Sequence, residues 1–147
     1  VNRGYMQLRV WQDARDYYVL TCRVFSTFAY ELKKVAAQAI ACADSVHRNI
    51  AEGYCRRSIK EYINFLNIAR GSIGESVPGV HSYRKAGQIC DEDFDLLDAL
   101  AYKIENGMIK LIEGLEAKKA SGDWVDTLIL RDCDDLYAAG AADWTQA

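Results

Sequence analysis

Proline is almost missing from this chain: Pro78 stands alone against ten glycines in 147 residues. No proline-rich, serine-rich or otherwise low-complexity stretch occurs, which argues against disorder and against an all-β domain with its many turns. Long apolar runs are missing too. The longest span a few residues, as at Val35-Ala36-Ala37, so no segment is expected to cross a bilayer, and residues 1–6 lack the apolar stretch of a secretory signal. Histidine occurs twice, at His47 and His81, and neither has a second His or a Cys at helical ligand spacing. Neither a metal site nor a cofactor is expected. The five cysteines (Cys22, Cys42, Cys55, Cys90, Cys133) form no CxxC pair, the pattern of reduced thiols in small apolar sites and of a cytoplasmic protein.

At 16.5 kDa the chain has material for one core. Its net charge of −3 conceals a gradient. Residues 1–70 carry 11 bases and 6 acids, residues 71–120 carry 6 and 9, and residues 121–147 hold six aspartates against Arg131 alone. The first half is basic and the tail strongly acidic, but the whole is no polycation.

Apolar spacing sets the fold class. Leu8, Trp11, Tyr18, Cys22 and Phe25 follow a three/four alternation in 7–28, beside a second row of Val10, Ala14, Tyr17, Thr21, Val24 and Phe28. Leu32, Ala36, Ala39, Ala43, Val46 and Ile50 continue it in 31–52, and Ile59, Tyr62, Leu66, Ala69, Ile73, Val77 and Val80 in 58–86. Phe94, Leu97, Ala101, Ile104, Met108, Leu111 and Leu115 complete it in 92–118. Four segments with this period are amphipathic helices. Ser58 and Glu61 form a capping box, Asp91 to Asp93 place acid at a helix start, and Gly53 and Gly87 stand where left-handed residues close helices. The expectation is an all-α antiparallel up-down-up-down four-helix bundle over residues 1–120, followed by an acidic tail with apolar residues at 121–147. Pro78 should kink or break the third helix near Ser76–Val77. The doubled row on the first helix, with Phe65 and Ile68 on the third, is either a broad core face or part of a subunit interface.

No enzyme signature emerges. Gly71 and Gly74 lack the spacing of a phosphate loop, His81-Ser82 has no triad context, and Glu52, Glu61 and Glu75 have no accompanying Glu-x-x-His. The distinctive stretch is 45–75: Ser45-Val46, then Asn49-Ile50-Ala51-Glu52-Gly53, Arg56-Arg57-Ser58, and Ala69-Arg70-Gly71-Ser72 followed by Glu75. With Leu8-x-Val10-Trp11-Gln12-x-Ala14 and Met108-x-x-Leu111-Ile112-x-x-Leu115, it resembles the bacterial four-helix-bundle proteins encoded by intervening sequences within 23S ribosomal RNA genes. The similarity covers about residues 7–116. It implies a homopentamer of up-down bundles with no catalytic residues, related to the accessory proteins of diversity-generating retroelements, which contact nucleic acid. Pro78-Gly79, the overall acidity and the tail set this chain apart from those relatives.

The resulting expectation is a non-enzymatic oligomeric scaffold or accessory protein. Arg48, Arg56, Arg57, Lys60 and Arg70 are candidates for RNA or DNA contact at a basic end, or else simply solvated charges. Asn49, Glu52, Gly53, Ser58 and Glu61 pin the turn between the second and third helices, while Gly71 and Ser72 permit close helix approach. Trp124, Val125, Leu128 and Ile129 are too apolar for a purely solvating tail and suit docking or a protein partner, against the alternative of a frayed end. The competing function is a protein–protein adaptor acting through the oligomer face or the tail.

Overall fold

The computed structural model describes residues 3–124. Within them run four helices, α1 (Arg9–Phe25), α2 (Lys33–Tyr54), α3 (Ile59–Lys85) and α4 (Asp91–Ser121), with single 3-10 turns at Gly4–Gln7 and Tyr30–Leu32. No strand occurs among the described residues. α1 packs on α2, α2 on α3, α3 on α4 and α4 back on α1, closing a four-helix bundle around one core. Ala14, Tyr17, Ala43, Val46, Ile50, Leu66, Ala69, Leu97, Ile104 and Met108 have no exposed surface at its centre. No helix among the described residues is long and apolar enough to cross a membrane.

The two rows of α1 exchange rank. Val10, Ala14, Tyr17, Thr21 and Val24 are buried, whereas Leu8, Tyr18 and Cys22 of the other row are half-buried. Both rows take part in packing, because α1 has α2 on one flank and α4 on the other. The polar members of the core are paired. Tyr17 Oη and Ser76 Oγ lie 2.7 Å apart across the bundle, and Thr21 Oγ1 donates to the Tyr17 carbonyl at 2.7 Å.

α3 runs without a break through Pro78. Proline has no N–H to offer the Gly74 carbonyl, so one rung of the ladder is missing, but packing against α2 and α4 holds the helix across the gap. At its end Gly87 takes the left-handed conformation (φ 70°), and Arg84 lies over Phe94 while its Nε reaches Asp91 at 2.8 Å. The cap of α4 is Cys90, whose Sγ accepts from Asp93 N at 3.4 Å, just ahead of the expected acids. Gly122 closes α4 in the left-handed region (φ 73°), and Asp123 N turns back to the Lys118 carbonyl at 3.2 Å.

Gly53 is a correction to the sequence reading. It does not close a helix by a positive φ; it lies buried inside α2, which continues to Tyr54. A Cβ there would sit 2.9 Å from both Phe65 Cβ and Tyr62 Cδ2, so this glycine lets α3 approach α2. Gly71 is a second correction, because a Cβ there would meet open space and no helix approach depends on it.

Candidate functional site

The corner between α2 and α3 gathers most of the distinctive motif. α2 unwinds with Cys55 N donating to the Ala51 and Glu52 carbonyls at 3.2 Å and Arg56 N to Gly53 O at 3.1 Å. Four residues on, Ser58 Oγ accepts from Lys60 N at 3.2 Å and starts α3, with Glu61 exposed in the first turn. Arg56 carries a double engagement. It forms an ion pair with Glu52, and its guanidinium lies 4.6 Å from the centre of the Phe65 ring. Arg57 and Lys60 are exposed, with no ion-pair partner among the described residues.

Aromatic rings underlie the corner. Tyr62 meets Tyr54 edge-on at 6.0 Å, Tyr54 meets Tyr5 at 6.4 Å, and Tyr5 meets Trp11 at 5.1 Å. From beyond the end of α4 Trp124 joins them, 6.3 Å from Tyr62, and its Nε1 donates to the Arg57 carbonyl at 3.3 Å. That bond fixes the backbone next to the two free cations. Val125, Leu128 and Ile129, expected to work with Trp124, lie outside the described residues.

The five basic candidates do not form one patch. Arg56, Arg57 and Lys60 share the corner. Arg48 sits on the flank of α2 that faces α1, bonded to Asp44 at 3.1 Å next to His47, which in turn packs on Tyr18. Arg70 lines a groove between α3 and α4. Asn49 also departs from expectation: its Nδ2 points back along α2 to the Ser45 carbonyl at 2.7 Å rather than into the turn. Ser45 Oγ and Ser72 Oγ pair at 2.8 Å and Gln38 Nε2 donates to Glu75 at 2.8 Å, so these residues form a polar seam between α2 and α3.

Burial pushes the Cys55 thiol up, against the opposing pull of Arg3, so it is protonated and a poor nucleophile. Burial pushes His47 down despite Asp44 at 3.1 Å, and His81 spans α3 and α4 to Asp98 at 3.0 Å while its ring packs on Phe94. No group of three or more metal-ligating side chains gathers among the described residues.

Two grooves flank α4, and sequence reasoning missed both. One, of about 790 Å³, separates α1 from α4 and is lined by Leu8, Val10, Tyr102 and Leu111 with Arg9, Lys103 and Lys110 at its rim. The other, of about 360 Å³, lies between α3 and α4 at Arg70, Gly74, Glu105 and Ile109. Tyr102 borders both and is 68% exposed, and Ile109 is 42% exposed. Tyr102 and Ile109 fall beside the α4 core row, and a spacing rule weights the row rather than its neighbours.

Residues 6–110 match the 23S rRNA-intervening sequence protein family. The chain belongs to that family. The match spans all the motif residues quoted above except the final turns of α4, so the corner and the seam are family territory. A solved structure from Bacteroides thetaiotaomicron, a protein of unknown function from the S23 ribosomal protein family, has the same fold. It superposes with a TM-score of 0.66 at 21% identity, over 71% of this chain and 95% of that one. No curated protein matches the chain.

Proposed function

We propose that this intervening-sequence protein is a non-enzymatic cytoplasmic scaffold, an up-down-up-down bundle that assembles into a homopentameric ring and offers its α2–α3 corner to the phosphates of RNA or DNA. The observation that carries the nucleic-acid part is the pair Arg57 and Lys60, exposed and without an ion-pair partner among the described residues, beside the N-terminus of a 27-residue helix. Unneutralised cations beside the positive end of a helix attract an anionic backbone. Arg56 adds a guanidinium 4.6 Å from the centre of the Phe65 ring, and Trp124 braces the turn through the Arg57 carbonyl. The up-down order is supported by the partners along α2 and α3, where Gly53 faces Phe65, Ser45 faces Ser72 and Gln38 faces Glu75. The non-enzymatic part is supported by both histidines being engaged in packing and pairing within the bundle. Kinship with the retroelement accessory proteins belongs to this reading and not to the family assignment.

A ring would multiply a weak corner, since linked copies raise effective concentration without new contacts. Three cations per copy on a single strand imply a slope of log affinity against log salt of about −2. Anisotropy titration of labelled single-stranded RNA and DNA across a salt series checks this, with Arg57→Glu plus Lys60→Glu abolishing the low-salt signal. Binding that survives the double substitution, or none at low salt, overturns the assignment.

A second reading has its own support. Ile109 beside the α3–α4 groove is exposed apolar surface on α4, with Ile68 exposed on α3. Such a face suits another copy or a protein partner, which makes the protein an adaptor with no nucleic-acid role.

A further inference from the structure

The α1–α4 groove, of about 790 Å³, is left without a role by the corner reading. Its floor is apolar, made by Leu8, Val10 and Leu111, and Val10 reaches α4 at Gly107, where a Cβ would lie 3.2 Å from Val10 Cγ2. Three of its four charged lining residues are cationic, Arg9, Lys103 and Lys110, against Asp13. An apolar trough with a basic rim fits a peptide that alternates acids with large apolar side chains.

We infer that the occupant is this chain's own segment 125–147, with the acids around Asp132–Asp135 set against Lys103 and Lys110. Composition is the first argument. Residues 125–147 carry five aspartates and one arginine, and Asp132, Asp134 and Asp135 stand immediately before Leu136 and Tyr137. The second argument is where the described chain ends. Gly122 in its left-handed conformation reverses the path, Asp123 N bonds back to Lys118 O, and Trp124 is tied to Arg57 O and Tyr62. The last described residue is therefore held against the bundle, at the end where α3 begins.

Reach is the third argument. Leu111 lies ten residues before Ser121 on α4, about 15 Å along the axis. Allowing for the width of one helix pair, seven or eight extended residues after Trp124 cover about 25 Å and bring Asp132 to the mouth of the groove. The next few residues run alongside Lys110 and Lys103, which are two turns apart on one face of α4. The segment would then cover an apolar surface that is otherwise open to water and neutralise the rim.

Zero-length carbodiimide crosslinking of the full chain tests the placement, because it joins a lysine amine to a carboxylate only when the two touch. An equal mixture of 15N-labelled and unlabelled protein distinguishes crosslinks within a chain from those between chains. Lys103 or Lys110 joined to Asp132, Asp134 or Asp135 within one chain is the expected product, well above any product from Lys33, Lys34 or Lys85. Lys103→Glu with Lys110→Glu, both exposed positions, should speed hydrogen exchange in 130–137 by about tenfold, the effect of turning two surface attractions into repulsions. Crosslinks confined to Lys60 would move the segment to the corner, and mixed-isotope crosslinks would assign the groove to a second copy's tail. Either result overturns the inference, as does exchange in 130–137 that is already unprotected in the unaltered chain.

Discussion

Gly53 and Gly71 both lie inside helices of the structure and next to motif residues, yet their surroundings are opposite. A methyl group at Gly53 would press on Phe65 and Tyr62 at 2.9 Å, one contact being the stiff Cβ of Phe65. Overpacking costs about 1–3 kcal/mol while the gain in helix preference over glycine returns up to about 1, so Gly53→Ala should lower stability by about 1–2 kcal/mol. Gly71→Ala meets nothing and should raise it by about 0.5–1 kcal/mol. Urea titration of the two variants beside the parent reads both signs. Buried titratable side chains add two pH windows. Burial raises the Tyr17 phenol to about 12, against 10.0 when free, so folding holds its proton. The stability it contributes is complete below pH 10 and is lost as pH rises towards 12; Tyr17→Phe should flatten that limb. His47 is shifted the other way by burial, below 6.5, so its contribution is present above that pH and is lost as pH falls through the lowered value. Thermal unfolding between pH 7 and 5 should show the decline, reduced in His47→Gln.

Among the elements, α3 departs most from local propensity, since it carries Pro78 and six glycine or serine residues (Gly71, Ser72, Gly74, Ser76, Gly79 and Ser82) yet stays helical over 27 positions. Tertiary packing decides here. Leu66, Ala69, Ile73 and Val80 are buried against neighbouring helices on both flanks, and Ser76 is held by Tyr17 across the core. The helix is therefore kept by its apolar row in spite of the missing amide. Pro78 itself is exposed, so Pro78→Ala should restore the bond to the Gly74 carbonyl without opening a cavity. An increase of about 1–2 kcal/mol is expected, less than the full penalty for proline because the unfolded chain also gains freedom. Chemical denaturation checks it. A loss of stability would show that the proline fits a bend on which the packing depends.

For the whole molecule, the open question of assembly turns on α4 more than on α1. The doubled α1 rows were open to a core or an interface reading; most of their residues are buried or half-buried, while α4 exposes Leu96, Tyr102 and Ile109, with Val19 of α1 and Ile68 of α3 exposed as well. Cyclic closure of five copies would cover such a face without leaving an open filament end. Light scattering at micromolar concentration should give about five times the chain mass, and Ile109→Asp with Tyr102→Asp should reduce it. A single-chain mass for the parent would remove the ring and leave the adaptor reading.

The class of the fold was written in the primary structure. The three/four spacing from Phe94 to Leu115 specified α4, Gly87 its approach and Ser58 the start of α3, because these depend on contacts within one or two turns of chain. Family membership was equally legible in Asn49–Gly53 and Ala69–Ser72, which are contiguous strings. Packing between distant residues was not legible. Only the folded chain decided that Gly53 lets Phe65 of α3 approach α2, that Asn49 turns back to Ser45, and that Arg48 and Arg70 sit away from the corner holding Arg57 and Lys60. A helix places its residues around the full circle of its axis, so neighbours in sequence face different partners, and which partner each meets is set by how four helices pack together. The same reason hid the groove beside α4: it is made by Leu8 to Asp13 and Tyr102 to Leu111, nearly a hundred residues apart in the chain and brought together only by burial of the common core.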